Sequence, residues 1–333
     1  MSSRSLSLPL VLAVLTCGLP APAAADEDGV VRFATLPKPG PGFPEGIAAD
    51  KAGNIYVATF DFTQPNVIYV FNRSGHVQTT IDVPGAPLGL AFDGDGKLYV
   101  ANFGQGNVLR FSPPFSAGSL PAVITITDCA GPPTCGLNAI TFDTSGNLYV
   151  SDSFGGRIFK VASPGSSTPA PSSVFFVDER LRPGSHGFPP FGANGLAFDK
   201  SGHLFIANTA DDRVFKLTIG GTPDPLVTFA ESINGADGIV FDDSGRLWVA
   251  ANQADEVVAL NAKGRVVERR GSFQGIGRDG AAKGLLFPAS IVISRGSIFV
   301  TNAALALTPA KGDEPEEDVT TFTVSRIPLS GKD

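Results

Sequence analysis

Asn194-Gly-Leu-Ala-Phe-Asp-Lys-Ser-Gly-His-Leu-Phe-Ile-Ala-Asn208 is the stretch on which the fold turns. Two short apolar runs flank Asp199-Lys-Ser-Gly202, whose Asp and Gly suit a tight reversal, so the segment reads as a β-hairpin. The pattern recurs at Glu45-Gly-Ile-Ala-Ala-Asp-Lys-Ala-Gly-Asn-Ile-Tyr-Val-Ala-Thr59 and at residues 88–102, 138–152 and 237–251. A degenerate sixth copy covers 289–302. The opening positions 45, 88, 138, 194, 237 and 289 stand 43 to 56 residues apart. That interval holds about four short strands and marks propeller blades.

The apolar runs that follow each hairpin complete the blades. Third strands are predicted at 67–71, 108–111, 157–161, 213–217 and 256–260, and fourth strands at 77–81, 122–126, 173–177, 225–229 and 265–269. The sixth blade has a third strand at 320–327 and no residues for a fourth. Residues 30–36 form a strand with no blade of its own. The fold expected is therefore all-β, a six-bladed β-propeller of four-stranded blades, closed by N- and C-terminal strands in the last blade. No linker composition divides residues 26–333, which read as one propeller domain. The stretches 178–193, rich in Pro and Gly, and 303–318, with an acidic run, read as solvated loops.

Residues 1–25 have the plan of a secretory signal peptide. Arg4 is followed by an apolar core at 8–15 and by Ala23-Ala24-Ala25, with cleavage expected after Ala25. The core is too short to span a bilayer, so a secreted or periplasmic location and no membrane span are expected. A net charge of −7 with no basic cluster argues against a nucleic-acid partner. Cys129 and Cys135 bracket Ala-Gly-Pro-Pro-Thr, which in an exported chain points to a disulfide stapling that loop.

In a propeller the first strand of every blade lines the central channel. The six opening residues, Glu45, Leu88, Asn138, Asn194, Asp237 and Ala289, therefore share one ring at one channel mouth, and the D-x-x-G turns lie on the opposite face. Four of the six carry side-chain oxygens. Two carboxylates about 5 Å apart repel by roughly 3 kcal/mol at an effective dielectric of about 20, which favours a cation between them. An oxygen-only donor set suits Ca²⁺, and less well Mg²⁺ or Mn²⁺. Asp152, Asn208 and Asn302, at the ends of second strands, read as structural. Asp152 precedes Arg157, and Asn208 precedes Arg213, at a spacing that suits a polar-to-Arg clamp. His76 and His203 belong on the far face, and only His186, in the loop entering blade 4, is placed to reach substrate at the mouth.

Ala236-Asp-Gly-Ile-Val-Phe-Asp-Asp-Ser-Gly-Arg-Leu-Trp-Val-Ala250 resembles the P-D-G-x-x-x-D-x-x-G-x-L-W-V-A signature of the senescence-marker-protein/gluconolactonase family, the regucalcin-like six-bladed propellers. Asn194-Gly-Leu resembles that family's N-G-L segment, and Pro44-Glu-Gly its first-blade E-G-P, although Ile47 and Ala48 replace the family's Pro and Trp. The resemblance implies a Ca²⁺-dependent hydrolase of a lactone or related ester. By position it implies Glu45, Asn194 and Asp237 as metal ligands, Asn138 as a further ligand or substrate contact, and Asp237 as the catalytic acid/base. The other reading is an exported, non-enzymatic propeller of the NHL kind, binding a protein or small-molecule partner through its channel face.

Overall fold

The structure is a computed structural model that describes residues 29–37, 42–63, 65–166, 171–184, 189–220 and 225–329. Six four-stranded antiparallel sheets form the blades. Their inner strands are Phe43–Ala49, Pro87–Phe92, Leu137–Phe142, Ala193–Phe198, Ala236–Phe241 and Pro288–Ser294. Each inner strand packs on the next, and the sixth packs on the first, which closes a ring. Every later strand of a blade is hydrogen-bonded to its predecessor. Blade 4, for instance, continues through Leu204–Asn208, Arg213–Leu217 and Leu226–Glu231.

The ends of the chain meet in blade 6. Val31–Thr35 pairs with Thr323–Pro328, which pairs with Ser297–Asn302. The closure expected from residues 30–36 is thus present, and the strand expected from 320 begins three residues later. Thr320 and Thr321 instead donate their backbone N–H groups to the Gly280 carbonyl. A hairpin not anticipated, Phe273–Ile276 with Ala282–Gly284, lies between blades 5 and 6. Its glycines at 275, 277, 280 and 284 dilute the alternation by which strands are recognised.

The apolar core is divided into sectors between blades. Trp248, Ala250 and Val257 of blade 5 pack on Ile291, Ile298 and Val300 of blade 6, and similar clusters fill the other five junctions. Second strands are consequently covered on both faces, which explains why residues 204–207 of the blade 4 strand read as an unbroken apolar run.

The D-x-x-G turns combine a backbone reversal with a side-chain anchor. In blade 3 the Asp143 Oδ1 accepts from the backbone N–H groups of Ser145 and Asn147, and Oδ2 accepts from the Tyr149 hydroxyl. Gly146 closes the turn at φ +77°, a left-handed value that a side chain would disfavour. In blade 5 burial works against the Asp242 charge. Donors on Ser244, Trp248 and Arg246 outweigh it and hold the carboxyl at about 2. Blade 4 has Phe205 in place of the anchoring ring, and the His203 imidazole takes the role at 2.8 Å from Asp199. These groups are structural and lie on the face away from the opening residues. Among the described residues no helix is long and apolar enough to cross a membrane.

Candidate active site

Each opening residue sits in a β-bulge. The register of first against second strand slips at Pro44/Ile47, Pro87/Leu90, Leu137/Ile140, Ala193/Leu196, Ala236/Ile239 and Pro288/Ile291. A bulge frees residues from the pleat and re-aims them. Here it presents the opening side chains to the channel mouth. The glycine after the opening residue has a separate cause. A Cβ on Gly46 would collide with the Leu88 carbonyl oxygen, and one on Gly195 with the Asp237 carbonyl oxygen. Gly89 and Gly238 make the same close approach to the following blade, whereas blades 3 and 6 carry Ala139 and Ser290 at this position.

A second recurring contact ties the polar half of the ring together. The Asn138 amide donates to Ser153 at 3.2 Å and the Asn194 amide donates to Thr209 at 2.8 Å. Asn252 donates to the Asp237 carboxylate at 3.0 Å. In all three the partner lies fifteen residues on, one step beyond the second strand. Ser153 and Thr209 then donate to the carbonyls of Ala193 and Ala236 in the following blade. At the same offset blades 1 and 2 carry Phe60 and Phe103, so the mouth has an oxygen-rich side and an aromatic side. Thr209→Val should remove the acceptor of one Asn194 N–H and the hydroxyl donor to the Ala236 carbonyl, and cost about 1–3 kcal/mol. A shifted denaturation midpoint, restored by Thr209→Ser, would show it.

Glu45, Asn138, Asn194, Asp237 and Asn252 converge on one pocket of about 60 Å³. The ring brings together four of the site residues expected from sequence. His186 lies outside the described residues. Glu45 keeps some surface open to the channel, but its Oε2 is closed off from solvent and has no hydrogen-bond partner, and the same is true of Asn252 Oδ1. Burial, with the Asp237 charge second, pushes the Glu45 carboxyl well above its ordinary range. Burial also raises Asp237, to about 7, although the Asn252 and Asn194 amides counter it. Both shifts favour retention of a proton by the pair.

Asn252 had not been recognised from sequence. The signal was its place one residue past the second strand, where blades 3 and 4 have hydroxyls. The clamp expected between Asn208 and Arg213 is absent. Asn208 donates to the Arg180 and Arg182 carbonyls, and Arg213 lies 3.5 Å from Glu231. A neutral amide offers a guanidinium less than a carboxylate does. Asp152, which carries the charge, does hold Arg157 at 2.7 Å. A disulfide joins Cys129 to Cys135 with the Cα atoms 5.3 Å apart, and Gly106 of blade 2 packs against the Cys129 backbone.

Among the described residues no three His, Cys, Asp or Glu side chains converge, so amides must complete any donor set built on the two carboxylates. The orphaned atoms, Glu45 Oε2 and Asn252 Oδ1, are both acceptors, and a buried acceptor without a protein donor takes a cation or a water. The residues present fit a hard divalent ion.

The class so defined is a six-bladed propeller with an oxygen-rich ring at one channel mouth. Residues 191–270, which contain Asn194, Asp237 and Asn252, match the model of the SMP-30/Gluconolactonase/LRE-like region, and the resemblance read from blades 4 and 5 holds there. Nothing among curated proteins matches the chain. Solved structures share the fold. A gluconolactonase from Xanthomonas campestris is 13% identical with a TM-score of 0.63, over 91% of this chain and 89% of that one. Regucalcin from Agrobacterium tumefaciens, described as a calcium-binding protein, is 17% identical with a TM-score of 0.62, over 88% and 93%. Virginiamycin B lyase from Staphylococcus aureus is 12% identical with a TM-score of 0.56, over 89% and 97%. The chain is thus a β-propeller whose residues 191–270 are similar to the gluconolactonase-type region.

Proposed function

We propose that the protein is a divalent-metal-dependent hydrolase of a lactone or related ester, acting at the channel mouth. The observation that carries the reading is the enclosed, unpartnered Glu45 Oε2 beside a second buried carboxylate, Asp237. Glu45, Asn138, Asn194, Asp237 and Asn252 would hold the ion, with Ca²⁺ preferred and Mg²⁺ or Mn²⁺ as weaker alternatives. When bound, the ion supplies Lewis-acid polarisation of the ester carbonyl and stabilises negative charge on its oxygen.

The chain's own groups do the rest. Asp237, buried and held through Oδ2 by Asn252, takes the proton from water as the water oxygen adds to the carbonyl carbon. The acyl–oxygen bond then breaks and the proton passes to the departing alkoxide, so that a lactone plus water becomes a hydroxy acid. Asn138 and Asn194 are fixed by Ser153 and Thr209 and keep their carbonyl oxygens available. Export by the 1–25 leader belongs to the same proposal, and that segment lies outside the described residues.

The test is a panel of lactones and aryl esters assayed with Ca²⁺ and with chelator. Turnover that disappears with chelator supports the reading. A melting temperature raised by Ca²⁺, with no member of the panel hydrolysed, would instead assign the ion a structural role in a non-enzymatic binding propeller.

A further inference from the structure

Above its polar base the pocket is walled by Phe43, Phe60, Phe191, Phe287, Leu88 and Leu305. These side chains come from separate segments, so the wall is a product of ring closure. It continues outward. The Phe62 ring meets Phe60 edge-on at 5.0 Å between centroids and is 66% exposed, and both rings rest on Phe103 beneath. An aromatic this exposed at a channel mouth covers no core of its own.

Donors are scarce in this pocket. Among the described lining residues none is Lys, Arg or His. The amides of Asn138, Asn194 and Asn252 each donate into the protein, to Ser153, Thr209 and Asp237. The oxygens that remain are those that would face the ion. A polyhydroxylated substrate would bury several hydroxyls here for few partners, which is costly. An alkyl or aryl group would lose only water. The pocket is small, about 60 Å³, and it opens onto the mouth, so a substituent larger than the reacting group extends along the aromatic wall.

Resting on the hydrolase reading above, we infer that the substrate is an uncharged lactone or ester bearing an alkyl or aryl substituent, which lies on the Phe60–Phe62 wall while its carbonyl enters the polar base.

The experiment uses the full chain with Ca²⁺ and δ-lactones carrying alkyl tails of increasing length, beside glucono-δ-lactone. The expected kcat/KM rises about three- to fourfold per methylene, levels off when the tail outruns the wall, and exceeds that for glucono-δ-lactone by at least about 100-fold. Phe62→Ser, at a position that is 66% exposed, should flatten the dependence of kcat/KM on tail length. A flat or falling series, or a preference for glucono-δ-lactone, would overturn the inference while hydrolysis itself stood. If nothing is hydrolysed, binding of the matching alkyl lactams, measured by calorimetry, separates the two claims. Affinity that climbs with tail length supports the apolar wall and sinks the hydrolase reading, whereas affinity indifferent to length overturns the wall as well.

Discussion

Asp237→Asn should lower kcat/KM for the best lactone by about 10³-fold at saturating Ca²⁺, a loss in the range expected when a general base is removed. The substitution is close to isosteric, and an amide oxygen can still accept from Asn252, which lies 3.0 Å away in the native pocket. What it removes is the proton acceptor and one of two buried negative charges. Calcium affinity should therefore fall as well, so the assay must be run to metal saturation to separate chemistry from occupancy. The folded chain should be no less stable without metal, because Glu45 loses the charge that helps to raise its carboxyl. Wild-type kcat/KM in Asp237→Asn at saturating Ca²⁺ would sink the mechanism, whatever became of the affinity.

Chelated protein should lose stability as the pH rises from about 4 to about 7, and Ca²⁺ should abolish that loss. The sign follows from the carboxyls at the mouth. Asp237 ionises near 3.8 in the unfolded chain and near about 7 when folded, and Glu45 is displaced upward as well. Between those values the folded chain holds a proton that the unfolded chain has released. Stability is thus fullest below the unfolded value and declines until the folded value is passed. For Asp237 alone the decline is on the order of 4 kcal/mol, or roughly 5–10 °C in melting temperature for a domain of this size. The turn carboxylates act in the opposite sense. Asp242 is held at about 2, and its contribution is lost only when the pH falls through that value, well below the window of interest. Thermal melts from pH 4.5 to 8, with chelator and with Ca²⁺, would show the effect. A flat profile in chelator would mean that the pair is not enclosed as described. A sloping profile that Ca²⁺ leaves unchanged would deny the pocket its ion.

The repeat was legible because its chemistry is local. Asp143 reaches Ser145, Asn147 and Tyr149 within six residues, and the apolar alternation on either side specifies a hairpin without help from the rest of the chain. Six hairpins at blade spacing then imply the ring, and the ring implies that Glu45, Asn138, Asn194 and Asp237 share one mouth. The hairpin between blades 5 and 6 escaped notice because glycine carries no alternation to read. Spacing pairs Asn208 with Arg213, but charge settles the competition: Glu231, brought alongside by pairing of the third and fourth strands, is the residue beside Arg213.

By itself the amino-acid order determined the strands, the turns, the number of blades and the residue that opens each one, since all of these follow from side-chain periodicity and from hydrogen bonds spanning a few positions. Only the tertiary structure decided what those openings become. It left Glu45 Oε2 and Asn252 Oδ1 enclosed without donors, set the Glu45 carboxyl against Asp237 across 192 positions of chain, and drew phenylalanines from separate segments into one wall. The reason is that burial and charge coupling depend on distance through space. At four of the six junctions that distance is set by a glycine after the opening residue, Gly46, Gly89, Gly195 or Gly238, which lets the backbone approach the next blade.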